Sequence, residues 1–144
     1  MKTREMTNDQ ALILIAEDDP DDQLMLQDAF EESCRHCELR FVCDGVELLD
    51  CLTVINQNAD SQLPDLLLLD LNMPLKDGRQ ALLEIRANPA FSTLPVVVMT
   101  TSKNDEDRTD CLAGGANDYL VKPTTYQELL TTVQSLKTYW KTYD

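Results

Sequence analysis

Four of the chain's apolar runs give way at their carboxyl ends to residues that do chemistry together. Residues 12–16 lead into Glu17, Asp18 and Asp19; the leucine run 66–69 ends on Asp70; 96–99 ends on Thr100; and 119–121 ends on Lys122 and Pro123. Three carboxylates brought within a few ångströms either raise one another's pKa or hold a cation. One lysine does not balance them. Hard oxygen donors with room for water suit Mg²⁺. A carboxylate can attack phosphorus to give an aspartyl phosphate, while a metal, a lysine and a hydroxyl stabilise charge on the transferred oxygens. The set therefore reads as a phosphoryl-transfer site with Asp70 as nucleophile. Spacing favours Thr100 over Thr101 as the contacting hydroxyl.

A sheet must position these residues. The apolar runs 12–16, 39–43, 66–69, 96–99 and 119–121 are short and continuous, as strands covered on both faces are. Helical patterns separate them: 20–33 behind Pro20, with Leu26, Ala29 and Phe30 on one face; 45–57 with Leu48, Leu49, Leu52 and Ile55; 78–88 with Ala81, Leu82 and Ile85. The segment 104–113 is mostly charged and should pack least firmly. A last helix opens on the capping box Thr125-Tyr-Gln-Glu128 and carries Leu129, Val133, Leu136 and Trp140. Such alternation predicts an α/β fold, a parallel sheet with helices on both faces. With strand order 2-1-3-4-5, Glu17, Asp18 and Asp70 converge at the carboxyl edge. The expected organisation is a flexible segment 1–10 and a single domain 11–144 with an extended C-terminal helix.

At 144 residues the chain buries one core. A net charge of −14 argues against direct contact with nucleic acid or an anionic membrane surface. No stretch approaches the roughly 20 apolar residues of a membrane span, and MKTREMTNDQ lacks the apolar core of a secretion signal. A cytoplasmic location is expected. Five cysteines at irregular spacing fit reduced thiols. Cys34-Arg-His-Cys37 reads as a frayed helix end, because a zinc site would need a second ligand pair. Asp19, Asp21 and Asp22 read as an acidic cluster at a helix N-terminus, not as further ligands.

The stretches "ILIAEDDP", "LLLLDLNMPLKDG", "LPVVVMTTS" and "DYLVKP" resemble, in order and spacing, the receiver domain of bacterial response regulators, from about residue 12 to beyond 136. The resemblance implies a flavodoxin-like, CheY-like (βα)5 three-layer sandwich. It implies that Asp70 is the phosphoacceptor, with Lys122 pairing with the phosphoryl group and Thr100 as the switch hydroxyl. Asp18 would bind the metal directly, Glu17 through water, and the Asn72 backbone carbonyl would complete the shell of Mg²⁺, or of Mn²⁺. Tyr119 matches the aromatic position that turns inward in the active state, although an aromatic on a strand is also ordinary core. The Lys122-Pro123 bond would be cis. Partners would be a sensor histidine kinase or phosphotransfer protein and a downstream protein target. The loop 56–63, "DGRQALLEIRANPAFSTLPVVVMTTS" and the ending "LKTYWKTYD" are similar to a stand-alone subgroup that includes regulators paired with bacterial phytochromes.

Tyr139, Trp140 and Tyr143 suggest a homodimer through the last helix. An aspartate-nucleophile phosphatase is the alternative reading. Such enzymes resemble DxDx(T/V) after the first strand, whereas Asp70 follows the third and Asn72 stands two residues beyond it. A flavin or nucleotide carrier would need phosphate-cradling glycine loops, and neither GxGxxG nor GxxxxGK[ST] occurs.

Overall fold

The computed structural model describes residues 10–58 and 60–140. The expected flexible segment, apart from residue 10, and Tyr143 lie outside the described residues. Strands β1 (Ala11–Ala16), β2 (Cys37–Val42), β3 (Leu66–Leu69), β4 (Val96–Thr100) and β5 (Asp118–Val121) alternate with helices α1 (Pro20–Ser33), α2 (Gly45–Gln57), α3 (Gly78–Ala87), α4 (Asp105–Ala113) and α5 (Tyr126–Ser135). The strands pair in parallel in the order β2-β1-β3-β4-β5. This is the doubly wound, flavodoxin-like arrangement that the alternation predicts.

Alternate strand residues face opposite layers, as the period of two requires. Leu14, Leu67, Leu69 and Val98 pack with Leu48, Leu52, Leu82 and Ile85 of α2 and α3. Ile13, Ile15, Leu68 and Val97 pack with Phe30, Leu129, Val133 and Trp140 on the side of α1 and α5. Each of Leu66 to Leu69 is buried, which is why the run shows no polar alternation. Each of these five α-helices is capped by a side chain at its start: Asp19, Asp44, Asp77, Asn104 and Thr125 each accept from a backbone N–H of the first turn. In α4 only Cys111 is buried, so this helix is held by few apolar contacts.

Three readings of the sequence change. The α-helical part of α5 stops at Ser135, and Leu136–Tyr139 tightens into a 3₁₀ turn. Leu136 and Trp140 are still buried, so the apolar spacing is real while the helix type changes. No described peptide bond is cis, so Lys122-Pro123 is trans; prolyl imides separate the two isomers by only about 0.5–1 kcal/mol, and the local chain path decides between them. The cysteines are not all thiols. Cys34 and Cys37 are joined in a disulfide, with Cys43, Cys51 and Cys111 free. Cys34 caps α1 and Cys37 opens β2, and the short turn between them brings their Cα atoms to 5.6 Å, within bridging range.

Candidate functional site

The carboxyl edge of the sheet gathers the polar residues through backbone hydrogen bonds between neighbouring strands. Glu17 N–H donates to the Val42 carbonyl, Asp70 N–H to Ala16, and Lys122 N–H to Thr100. Each residue is thereby fixed at the point where its strand ends. Among the described residues Glu17, Asp70 and Thr100 are the buried polar ones, and Asp18 is exposed. One carboxylate oxygen from each of Glu17, Asp18 and Asp70 lies within 4.8 Å of the others.

Lys122 is the cation at this edge. Its Nζ lies 2.8 Å from Glu17 Oε1, 2.8 Å from Asp22 Oδ2 and 3.0 Å from Asp70 Oδ2. Burial works to lower the Lys122 pKa, and hydrogen bonds to Asp22, Glu17 and Asp70 outweigh it, holding the ammonium above its ordinary value. Burial likewise raises the Glu17 pKa, against the opposing pull of Lys122 and the Asp19 N–H. The other Asp70 oxygen, Oδ1, accepts from the Asn72 N–H at 3.1 Å. Asp70 is therefore held on one oxygen by Lys122 and on the other by the Asn72 N–H, the local turn by which a strand-ending aspartate caps the loop that follows it.

A divalent cation fits this donor set. Four carboxylates (Glu17, Asp18, Asp22, Asp70) meet one ammonium, an excess of negative charge at a half-dry edge. The donors are all hard oxygens, and the exposure of Asp18 leaves room for water.

The loop after Asp70 is tightly built. Gly78 N–H donates to the Leu71 carbonyl at 2.9 Å, and a Cβ placed on Gly78 would lie 2.2 Å from the Asp70 carbonyl oxygen. Only glycine admits this approach. Leu75, at the tip, has φ of 66° and is exposed, a left-handed conformation that costs a non-glycine residue about 1 kcal/mol or more.

Thr100 is fully buried, and its Oγ1 accepts from the Ser102 N–H at 3.4 Å. The Tyr119 ring is buried and its hydroxyl donates to the Ser102 carbonyl at 3.0 Å. Ser102 Oγ donates to Asp107 Oδ2 at 2.7 Å, and Asp107 is clasped by Arg79 of α3. The guanidinium of Arg108 donates to the Tyr119 carbonyl and stacks over its ring. Sequence reasoning missed Asp22, Arg79 and Asp107. Asp22 carried a weak signal, standing one turn into the helix that follows the acidic pair; Arg79 and Asp107 carried none, since their contact depends on how α3 and α4 lie side by side.

An aspartate ending the central strand, an acidic pair ending its neighbour, and a lysine reaching across from the edge strand define the receiver class on this sheet order. Residues 13–134 match the response regulator receiver domain model, and the chain belongs to that family. It is 36% identical over 134 residues to Response regulator Rcp1 of Synechocystis sp., covering 93% of this chain and 91% of Rcp1. The crystal structure of the Mn²⁺-bound form of Rcp1 superposes with a TM-score of 0.79, covering 90% of this chain and 94% of that one. The phosphorylated cyanobacterial phytochrome response regulator RcpA gives a TM-score of 0.81 at 34% identity, covering 91% and 94%. A response regulator in red light signaling of R. palustris gives 0.80 at 34% identity, covering 90% and 93%.

Proposed function

We propose that Asp70 accepts a phosphoryl group from a phosphohistidine of a sensor kinase or phosphotransfer protein, and that the modified domain signals by contact with a downstream protein. The observation that carries this reading is the pairing of one Asp70 oxygen with Lys122 at 3.0 Å while Glu17 and Asp18 stand within 4.8 Å. The Asp70 carboxylate oxygen forms the new bond to phosphorus, and the donor nitrogen departs with the electron pair of the broken one. Lys122 holds charge on the transferred oxygens. Asp18, Asp70 and the Asn72 backbone carbonyl would hold Mg²⁺ or Mn²⁺, with Glu17 acting through water. When bound, the ion supplies charge neutralisation for the phosphoryl oxygens.

Thr100 and Tyr119 carry the response. A phosphoryl group on Asp70 offers oxygens that accept from the Thr100 hydroxyl, and Ser102, whose N–H donates to Thr100 Oγ1 and whose carbonyl accepts from Tyr119, moves with it. Self-catalysed phosphorylation and hydrolysis make this a signalling domain rather than a multiple-turnover phosphatase. The organisation as one receiver with a cytoplasmic location, a phytochrome-type sensor and a homodimer through the last helical stretch belong to the same reading, with Trp140 itself buried within the domain; the likeness to Rcp1 and RcpA supports the sensor class. No helix among the described residues is long and apolar enough to cross a membrane.

Acetyl phosphate with Mg²⁺, followed by intact mass measurement, tests the proposal. One added phosphate is expected on the wild type, none on Asp70→Asn and none after chelation. Label retained by Asp70→Asn, or many turnovers on a small phosphomonoester, would overturn it.

A further inference from the structure

We propose that Cys34 and Cys37 form a reversible dithiol/disulfide site, reduced by a dithiol reductant and coupled to the packing of Trp140. The two residues are joined by a disulfide at the junction of α1 and β2, at the opposite end of the sheet from Asp70. The proposal is independent of the phosphoacceptor reading.

Three features separate this bridge from a structural staple. It spans a sequence separation of only 3, and the stabilisation gained from a bridge shrinks with the loop it closes. The domain has a two-sided core that needs no staple: the faces around Leu14 and Leu67 and around Ile13 and Phe30 each form a cluster of buried apolar side chains. The two cysteines also differ in exposure. Cys34 is 8% exposed and belongs to the α1/α5 core, whereas Cys37 is only half-buried. An open groove between α1 and the outer face of β2 is lined by Phe30, Glu31, Cys34, Arg35, Cys37 and Phe41. A reductant therefore has a path to the bridge.

The exchange balances without a metal or other cofactor. A reductant thiolate attacks Sγ of Cys37; the bridging bond breaks, and its electron pair leaves on Cys34 Sγ, which takes a proton. The second thiolate of the reductant attacks its own sulfur in the mixed disulfide and releases Cys37 Sγ, which is also protonated. Two electrons and two protons enter the domain, and the reductant leaves as a disulfide. The freed turn no longer ties the last turn of α1 to β2. Cys34 shares one cluster with Phe30 and Trp140, and the Phe30 and Trp140 rings are 6.3 Å apart. The chain has a single Trp, so its emission reports the event.

The test uses the full chain, purified without reductant, then treated separately with a thioredoxin-type dithiol protein, dithiothreitol and glutathione. Alkylation of the folded protein and peptide mapping follow each arm. The expected result is a gain of about 2 Da on reduction, two new adducts on Cys34 and Cys37, a change in Trp140 emission reversed by diamide, and a fall of a few degrees in Tm. A protein dithiol acting at far lower concentration than glutathione supports the dithiol reductant; glutathione acting at the lower concentration overturns it. Cys34→Ser/Cys37→Ser should show no redox-dependent emission change. Cys37→Ser alone, which keeps the buried sulfur, serves if the double variant does not fold. The proposal is overturned if Cys34 and Cys37 alkylate freely in diamide-treated folded protein, if the bridge survives all three reagents until the chain is unfolded, or if the emission change persists in the variants.

Discussion

Arg79 of α3 grips Asp107 of α4 through two parallel hydrogen bonds, Nε to Oδ1 at 2.9 Å and the terminal nitrogen to Oδ2 at 2.8 Å, and the same Oδ2 accepts the Ser102 hydroxyl. This fork joins the sparsely packed α4 to the rest of the domain, and through Ser102 it reaches both Thr100 and the Tyr119 hydroxyl. The Asp107 end of α4 is thus tied to α3 by an ion pair, while Thr100 and Tyr119 themselves lie in the buried core.

The fork has a pH signature. Hydrogen bonds from Arg79 and then Ser102 hold the Asp107 carboxyl at about 2, below its ordinary 3.8. A depressed carboxylate stabilises the fold above its unfolded pKa, and the contribution disappears as pH falls through the folded value. Because the pair is partly solvated, its worth is about 1 kcal/mol or less. Unfolding free energies of the wild type and Asp107→Asn from urea titration should differ by that amount at pH 7, and the gap should close between about pH 4 and pH 2. A gap that stays constant over this range would sink the account.

Asp18 separates metal binding from folding. Its side chain is exposed while Glu17 and Asp70 are buried, so Asp18→Ala removes a donor without opening the core. In chelator the variant should melt within about 0.5 kcal/mol of the wild type. Millimolar Mg²⁺ should raise the wild-type Tm and leave that of Asp18→Ala nearly unchanged. Equal shifts in both proteins would remove Asp18 from the cation site.

Lys122 answers to two different demands. Without it, Glu17 and Asp70 face each other with no cation, and breaking such a buried cluster costs about 3–5 kcal/mol when the remaining charges stay dry. Lys122→Ala should therefore be strongly destabilised in chelator and recover more stability with Mg²⁺ than the wild type does. The phosphorylation rate should fall even at saturating Mg²⁺, because the ammonium 3.0 Å from Asp70 has no substitute there. Thermal shift and acetyl phosphate labelling on one sample read both effects; a Mg²⁺ shift no larger than that of the wild type would defeat the first.

Much of this was legible in the chain because both faces of the sheet are covered. Leu66 to Leu69 advertise a central strand by having no polar alternation, and the carboxyl-edge residues Glu17, Asp70, Thr100 and Lys122 stand out against such runs. The acidic trio then follows from strand order alone. What depended on three-dimensional seating was not legible. Asp22 reaches Lys122 across 100 residues because α1 lies over that edge, and its place just inside the helix after the acidic pair signalled that contact only weakly. Composition spoke for thiols, but the turn between α1 and β2 decides whether Cys34 and Cys37 meet. The end of α5 failed for a related reason: Leu136 and Trp140 satisfy helical spacing whether the last turn is α or 3₁₀.

Gly78 tests whether the loop positions Asp70 or merely follows it. Any Cβ there would sit 2.2 Å from the Asp70 carbonyl oxygen and 2.8 Å from the Leu71 Cα, both backbone atoms with no rotamer to yield. Gly78 also begins α3, behind the Asp77 cap that accepts from Gln80 N–H, so the loop cannot retreat without losing that cap. Gly78→Ala must then shift the backbone at Asp70 itself, a strain of about 1–3 kcal/mol. Denaturant unfolding should show that loss, while Asp44→Ala, which removes only the cap of α2, should cost about 1 kcal/mol and leave labelling untouched. Because Asp70 Oδ1 is aimed by the Asn72 N–H at 3.1 Å, a displaced backbone also misdirects the carboxylate. Acetyl phosphate labelling of Gly78→Ala should therefore slow by tenfold or more, on the order expected for an ångström of misplacement. Wild-type labelling in a clearly destabilised Gly78→Ala would show that the carboxylate finds its place independently of the loop.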